Sequence, residues 1–414
     1  MKILLVNPNR YREPPAPPIA LEYLAGALDD SPHDCAVCDL CFSEDPAGVL
    51  AWALDDYRPD VAGVTIRNID TVIHDNNIFF LDDIRDIISQ IRQNDIPVVI
   101  GGAGCAAMPK EVLAYTGADW CINGPGEGAL PVFLDECAET LPERGRVLNG
   151  WAYLDSGSLT KPRPILLDYE RYVTDRGLAG FETQKGCMSS CSYCIERNTP
   201  HIPRSTAAVC DEIEALTQRR IRRFHLCDTE FNQDLAHCRA FLRELIARNL
   251  GIEWALYMKT APYEAELFEL IAKSGVSMIT VSVNNDKRSL DDMAHTARLA
   301  KRSGLGLAVD FMCGAPGETE NDIAVAIEKF KAMPVDTVGI NTWYRLYPNL
   351  PMTRLVMSAP EYRKHISGDI DDSADMVRPV FYNHIGNDIL ARFIGSDARF
   401  TIEGSERTSN YERI

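Results

Sequence analysis

The sequence predicts an α/β protein made of an N-terminal doubly wound, Rossmann-like domain, a partial (β/α)6 barrel of the TIM type and a short C-terminal extension. Two observations predict it. Short apolar runs alternate with amphipathic stretches over most of the chain, which is the pattern of βαβ units around parallel sheets. The alternation breaks once, between about residues 142 and 172, where Gly, Ser and Pro gather around Trp151 and the KPRP run at 161–164 reads as an extended connector.

The first series places strands at 3–6, 36–40, 61–66, 98–100 and 120–122, with helices over 19–28, 49–57, 79–91, 110–115 and 129–139. Five strands of this kind make a doubly wound sheet, which binds ligands at the C-terminal ends of its strands. The second series places strands at 180–183, 224–227, 253–258, 278–283, 306–312 and 338–344. In barrels of this type the chemistry sits at the C-terminal strand ends, because those loops share one mouth. Helices are expected at 362–366 and 387–394, and the tail after Gly404 is expected to fray. The expected division is 1–145 for the first domain, 146–178 for the linker, 179–345 for the barrel and 346–414 for the extension.

Composition sets the class. With 414 residues, 46% of them hydrophobic and 25% charged, the chain can bury a large core and has no apolar run long enough to span a membrane. A net charge of -18 argues against a nucleic-acid surface and in favour of a small-molecule partner. The opening MKILLVNPN enters a strand directly, without the pattern of a secretory signal, so a cytoplasmic location is expected. Thirteen cysteines in such a chain point to metal, redox chemistry or plain burial rather than disulfides.

Spacing separates these cysteines. Residues 185–194 read KGCMSSCSYC, directly after the first barrel strand. Cys187, Cys191 and Cys194 can wrap one face of an iron–sulfur cube and leave its fourth iron without a protein ligand. Gly186 lets the backbone bend tightly ahead of them. The bland alternatives are a zinc site or three buried thiols. Zinc normally takes four ligands in two pairs, and only Cys210 or His201 stands near enough in sequence to add one.

This motif resembles the signature of the radical S-adenosylmethionine (SAM) superfamily, with Tyr193 as the aromatic residue before the last cysteine. The resemblance implies a [4Fe-4S] cluster on the three cysteines, SAM on the open iron and Tyr193 near the adenine. It extends to FHLCDTEFN at 224–232, where Asp228 or Glu230 would accept the SAM ammonium hydrogens, the alternative being a solvated turn. VDFMCGAPGETENDI at 309–323 resembles the fifth-strand segment, placing Gly314 beside SAM and Glu318 and Thr319 as caps of the next helix. Ser282 and Asn284 stand where relatives contact the ribose, though the usual acidic residue is missing. RLYPNLPMTRL at 345–355 resembles the sixth-strand exit, with Met352 in place of a glycine.

The first domain resembles the cobalamin-binding domain of the superfamily's class B methyltransferase-like subclass. The matching pieces include KILLVNPN, VAGVT at 61–65, GGAG at 101–104 and NGPGE at 123–127. The resemblance implies that Asn9, Thr65, Arg67, Gly101, Gly102 and Gly104 face cobalamin or the substrate, with the glycines leaving room for the ligand. The lower-ligand motif Asp-x-His-x-x-Gly is absent, so the domain could instead only shape the substrate site. Arg67 could contact an anionic substrate or form an ion pair.

Cys35, Cys38 and Cys41 mimic a metal loop, but a strand would put Cys35 and Cys38 on opposite faces, so ordinary burial is expected there and at Cys105, Cys121 and Cys137. Cys227 and Cys313 fall at strand ends by the mouth, where a thiol can donate hydrogen or touch substrate, or simply be buried. The resemblance implies methyl transfer to an unactivated carbon or phosphorus of a small molecule. One SAM would supply the methyl group by way of cobalamin, a second would yield a 5′-deoxyadenosyl radical, and a flavodoxin or ferredoxin would be the reducing partner. Radical rearrangement or cyclisation, cobalamin-independent transfer of a 3-amino-3-carboxypropyl group to a soft acceptor such as arsenite, and a non-enzymatic carrier or sensor are the rivals.

Overall fold

A computed structural model of the chain describes residues 1–155, 157–370 and 376–402. The tail expected to fray lies outside the described residues. The chain forms two compact units, one from 1–72, 77–179 and 376–378, the other from 73–76, 180–370 and 379–402.

The first unit alternates β1 (Lys2–Asn7), α1 (Ile19–Leu28), β2 (Asp34–Asp39), α2 (Pro46–Tyr57), β3 (Val61–Thr65), α3 (Leu81–Arg92), β4 (Val98–Gly101), α4 (Pro109–Thr116), β5 (Trp120–Asn123), α5 (Ala129–Glu139) and β6 (Val147–Asn149). The strands pair in parallel in the order β2-β1-β3-β4-β5-β6. Strand order reverses between β1 and β3, so the crevice of the sheet opens beyond Asn7 and Thr65. α3 shows why such helices form here. Leu81, Ile84, Ile88 and Ile91 share one buried face, and acidic Asp82 and Asp83 open the helix that Arg92 closes. Ile3, Leu5, Trp120, Leu130 and Phe133 are buried together where α1 and α5 cover the sheet.

The connector differs from expectation. Val147–Asn149 forms a sixth parallel strand on β5, since its residues complete an otherwise open sheet edge. Beyond it, Glu22 of α1 is fully buried and holds the incoming chain: its Oε1 accepts the backbone N–H groups of Leu166 and Leu167 at 2.7 and 3.0 Å, and its Oε2 lies 3.1 Å from Arg163 Nε. A short helix, α6 (Tyr169–Thr174), follows, and Tyr172 donates its hydroxyl to Asp39 Oδ2 at 2.7 Å.

The second unit carries β7 (Ala179–Phe181), β8 (Gln184–Lys185), β9 (Ile202–Pro203), α7 (Thr206–Gln218), β10 (Arg223–Leu226), α8 (Leu235–Arg248), β11 (Glu253–Lys259), α9 (Ala265–Lys273), β12 (Val276–Asn284), α10 (Lys287–Arg302), β13 (Gly306–Met312), α11 (Glu320–Lys331) and β14 (Thr337–Asn341). β15 (Tyr344–Arg345), α12 (Pro351–Ser358), α13 (Pro360–Arg363), β16 (Ile366–Ser367), β17 (Phe381–Tyr382), α14 (Asn387–Ile394) and β18 (Phe400–Ile402) complete it. The main sheet runs β18-β14-β13-β12-β11-β10-β7, with parallel pairing from β10 to β18. It is the six-strand open barrel expected, plus β18 from the extension, a strand too short to leave a periodic signal. Phe181, Phe231, Phe241 and Trp254 interlock at centroid distances of 5.5–6.4 Å and fix β7, β11 and α8 together. α12 begins at Pro351, so Met352 extends a helix where relatives of this motif turn at glycine.

Candidate functional site

The cysteine loop hangs from a small clip. β8 and β9 pair antiparallel, Gln184 with Pro203 and Lys185 with Ile202, and the segment between them carries all three cysteines. Gly186 takes φ +84° at the point where the loop leaves β8, a conformation that favours glycine. Hydrogen bonds then set the loop's shape. Cys187 N–H donates to Thr199 Oγ1 at 2.7 Å, and Thr199 N–H returns to the Cys187 carbonyl at 3.0 Å. Gln233 grips both sides, accepting from Met188 N–H and donating to the Gly186 carbonyl, each at 2.8 Å. Met352 N–H donates to the Ser192 carbonyl at 3.1 Å, so α12 also braces the loop.

The three thiols are free and near enough to feel one another's charge. Burial pushes Cys194 up to about 11, and thiolate charge at Cys191 and Cys187 adds to the rise. Among the described residues no group of His, Cys, Asp and Glu is drawn tightly enough to hold a single metal ion. Three free thiols on one loop are the donor set of an iron–sulfur cube with one iron left without a protein ligand.

A polar row faces these thiols. Lys259, Ser282 and Asp310 are register partners across β11, β12 and β13. Lys259 Nζ lies 3.3 Å from Glu230 Oε1 and 3.5 Å from Cys191 Sγ. Burial lowers the proton affinity of this amine, but Glu230 and the Cys191 thiolate outweigh it and hold the ammonium above its ordinary range. Glu230 is only 5% exposed, and its Oε2 accepts no hydrogen bond among the described residues. Burial raises the Glu230 carboxyl, against the pull of Lys259 and Ser282. Asn284 closes the row, accepting the Tyr193 hydroxyl at 2.7 Å and turning its Nδ2 to within 4.0 Å of Cys191 Sγ. Tyr193 also packs edge-on against Tyr344, at 5.3 Å between centroids.

Several expected roles change. Asp228 does not offer a free carboxylate: Thr183 and Gln184 donate to it from backbone N–H groups at 2.7 and 3.3 Å, and the Thr183 hydroxyl donates as well. It ties the end of β10 to the start of the cysteine loop, and burial pushes its carboxyl up to about 7. Glu318 does not cap α11. Thr319 does, in a capping box with Asp322, while Glu318 Oε2 accepts from Gly314 N–H at 2.9 Å and Asn285 Nδ2 at 3.0 Å. Cys313 is fully buried, as plain packing of a small residue requires, whereas Cys227 is exposed at the end of β10. Alternation reads Lys259 and Asp310 as ordinary strand residues. The signal at Lys259 is a charge on the last residue of a barrel strand.

In the first unit, Thr65 ends β3 beside the crevice, and Asn9 follows β1 and accepts Tyr11 N–H at 3.1 Å. Arg67 is exposed two residues beyond the end of β3. Gly102 and Gly104 have a different reason from the one expected. A Cβ at Gly102, where φ is +105°, would lie 2.6 Å from the Ile66 carbonyl oxygen, and one at Gly104 would lie 2.7 Å from Ile66 Cγ2. The chain itself fills that space. Gly101 is not crowded in this way, since a Cβ there meets only the Ile122 carbonyl at 3.4 Å. Cys38, Cys41, Cys105, Cys121 and Cys137 are buried and Cys35 is half-buried, as ordinary packing requires. Among the described residues no helix is long and apolar enough to cross a membrane.

Comparison with known proteins agrees with this geometry. A profile of the B12 binding domain matches residues 10–134, and one of the radical SAM superfamily matches residues 181–330. The chain is a radical SAM protein with an N-terminal B12-binding domain. Among characterised relatives of this radical SAM chain, the tryptophan 2-C-methyltransferase of Streptomyces laurentii is 26% identical over 85% of this chain and 74% of its own length. The radical SAM methyltransferase TsrM of Kitasatospora setae, solved with tryptophan and a SAM analogue, superposes with a TM-score of 0.87 at 25% identity, covering 99% of this chain and 92% of that one. The cobalamin-dependent radical enzyme OxsB shares the fold, with a TM-score of 0.72 at 14% identity over 94% of this chain and 64% of its own.

Proposed function

We propose that the chain is a transferase that uses SAM, a [4Fe-4S] cluster and cobalamin to methylate an unactivated carbon of a small molecule. The observation that carries this reading is the join of a three-thiol loop to a buried, half-satisfied carboxylate, Glu230, in a chain that also has a B12-binding domain. When bound, the cluster supplies an electron to SAM, and cobalamin carries a methyl group from donor to acceptor.

In this reading Cys187, Cys191 and Cys194 hold the cluster. Glu230 Oε2 accepts the SAM ammonium, a charge-assisted bond that would satisfy its orphaned oxygen. Tyr193, held by Asn284, borders the adenine, and Ser282 and Gly314 line the same pocket. Asn9, Thr65, Arg67 and Gly101, around the crevice beyond β1 and β3, border cobalamin. Cys227 is the exposed thiol able to donate hydrogen at the mouth. A flavodoxin or ferredoxin would supply electrons, and the reducing cytoplasm would keep the thiols free.

The test is anaerobic turnover of reconstituted protein with cobalamin, reductant, trideuteromethyl SAM and aromatic amino acids, tryptophan first. S-Adenosylhomocysteine together with a trideuteromethylated acceptor is the expected result. Methylthioadenosine as the main nucleoside would overturn the reading and point to transfer of the aminocarboxypropyl group.

A further inference from the structure

We propose that Lys259 is a redox-tuning residue, whose ammonium donates to the Cys191 sulfur and eases reduction of the cluster, with Glu230 setting how much of that charge is felt. The inference rests on the reading of Cys191 as a cluster ligand.

The three cysteines are not treated alike by their surroundings. The Lys259 ammonium and the Asn284 amide both converge on Cys191 Sγ, at 3.5 and 4.0 Å. The donor next to Cys194 is the backbone N–H of Glu196. The contact is also built rather than incidental. Asn232 fixes the backbone from which Lys259 projects, accepting Lys259 N–H at 2.9 Å and donating to the carbonyls of Lys259 and Pro262 at 3.0 and 2.7 Å. The side chain is 21% exposed, and it leaves β11 toward the thiol loop instead of toward solvent.

A donor on a ligating sulfur draws electron density from it, and a positive charge beside a cluster favours the state that holds the extra electron. Both effects have the same sign and act in a part of the protein where screening by water is weak. Glu230 works against them. Its carboxylate lies 3.3 Å from the same ammonium and neutralises it, so the pair leaves Cys191 with less than a full charge. Replacing either partner should therefore move the cluster potential in opposite directions. A merely structural pair would not do that.

The experiment is a redox titration of the reconstituted protein without SAM, followed by EPR of the reduced cluster, on wild type, Lys259→Met, Lys259→Arg and Glu230→Gln. Lys259→Met should become harder to reduce than wild type, Glu230→Gln easier, and Lys259→Arg should stay near wild type. Equal potentials throughout, or shifts of the same sign in Lys259→Met and Glu230→Gln, overturn the proposal. Iron and sulfide content are measured first, and wild type without a cluster would sink the cluster reading itself, a separate result. Pulsed EPR of wild type grown with nitrogen-15 lysine does not depend on any variant folding. A nitrogen-15 coupling to the reduced cluster is expected, and its absence overturns the contact.

Discussion

Arg163 and Glu22 form an ion pair with no solvent exposure on either side chain, Nε to Oε2 at 3.1 Å, and it holds the segment after β6 against α1. Arg163 also lies over the Tyr23 ring, 5.0 Å from its centroid, and donates to the Tyr23 hydroxyl at 3.1 Å. Replacing Arg163 with Met leaves a buried carboxylate without its counter-charge. The expected cost is about 3–5 kcal/mol, read as a lower unfolding midpoint by circular dichroism. A midpoint equal to wild type would show that the backbone N–H groups of Leu166 and Leu167 and the Tyr169 hydroxyl satisfy Glu22 without the guanidinium.

The cysteine loop makes a stricter prediction. Cys187→Ala, Cys191→Ala and Cys194→Ala should each abolish both cluster assembly and SAM consumption, because a cube with two protein ligands is not retained. Cys35→Ala and Cys38→Ala should keep full iron content, since those thiols are packed in β2. Iron analysis and visible absorption decide the matter.

Tyr193 positions more than it reacts. Tyr193→Phe removes the hydrogen bond to Asn284 and keeps the ring against Tyr344. One such bond is worth about 1 kcal/mol, so SAM affinity should fall roughly five-fold with the cluster intact. Isothermal titration with SAM on the oxidised protein measures it, and an unchanged affinity would place the adenine elsewhere.

Asp228 sets a pH dependence. Burial raises its carboxyl from 3.8 to about 7 in the folded chain, so between those values the folded state binds more protons than the unfolded one. Stability therefore falls as pH rises through that window. Asp228→Asn does not titrate and should gain on wild type across the window, with the gap level below it and above it. Thermal midpoints of both proteins over a pH series give the answer, and a constant gap would refute the assignment.

What was legible in the sequence is what local chemistry decides. Strand and helix alternation follows from side-chain periodicity, and it gave both sheets apart from β6 and β18, which have three residues each. The thiols at Cys187, Cys191 and Cys194 are brought together by eight residues of chain, so spacing alone reveals them. Partners far apart in sequence depend on sheet register and strand order, which no local pattern encodes. Lys259 meets Cys191 across 68 residues, and Arg163 meets Glu22 from the far side of a whole domain. Asp228 and Glu230 stand two residues apart with the same charge, yet the tertiary structure surrounds one with donors and leaves the other an open oxygen. The sequence by itself determined which groups can hold a cluster, whereas only the packed strands decided which charges face it.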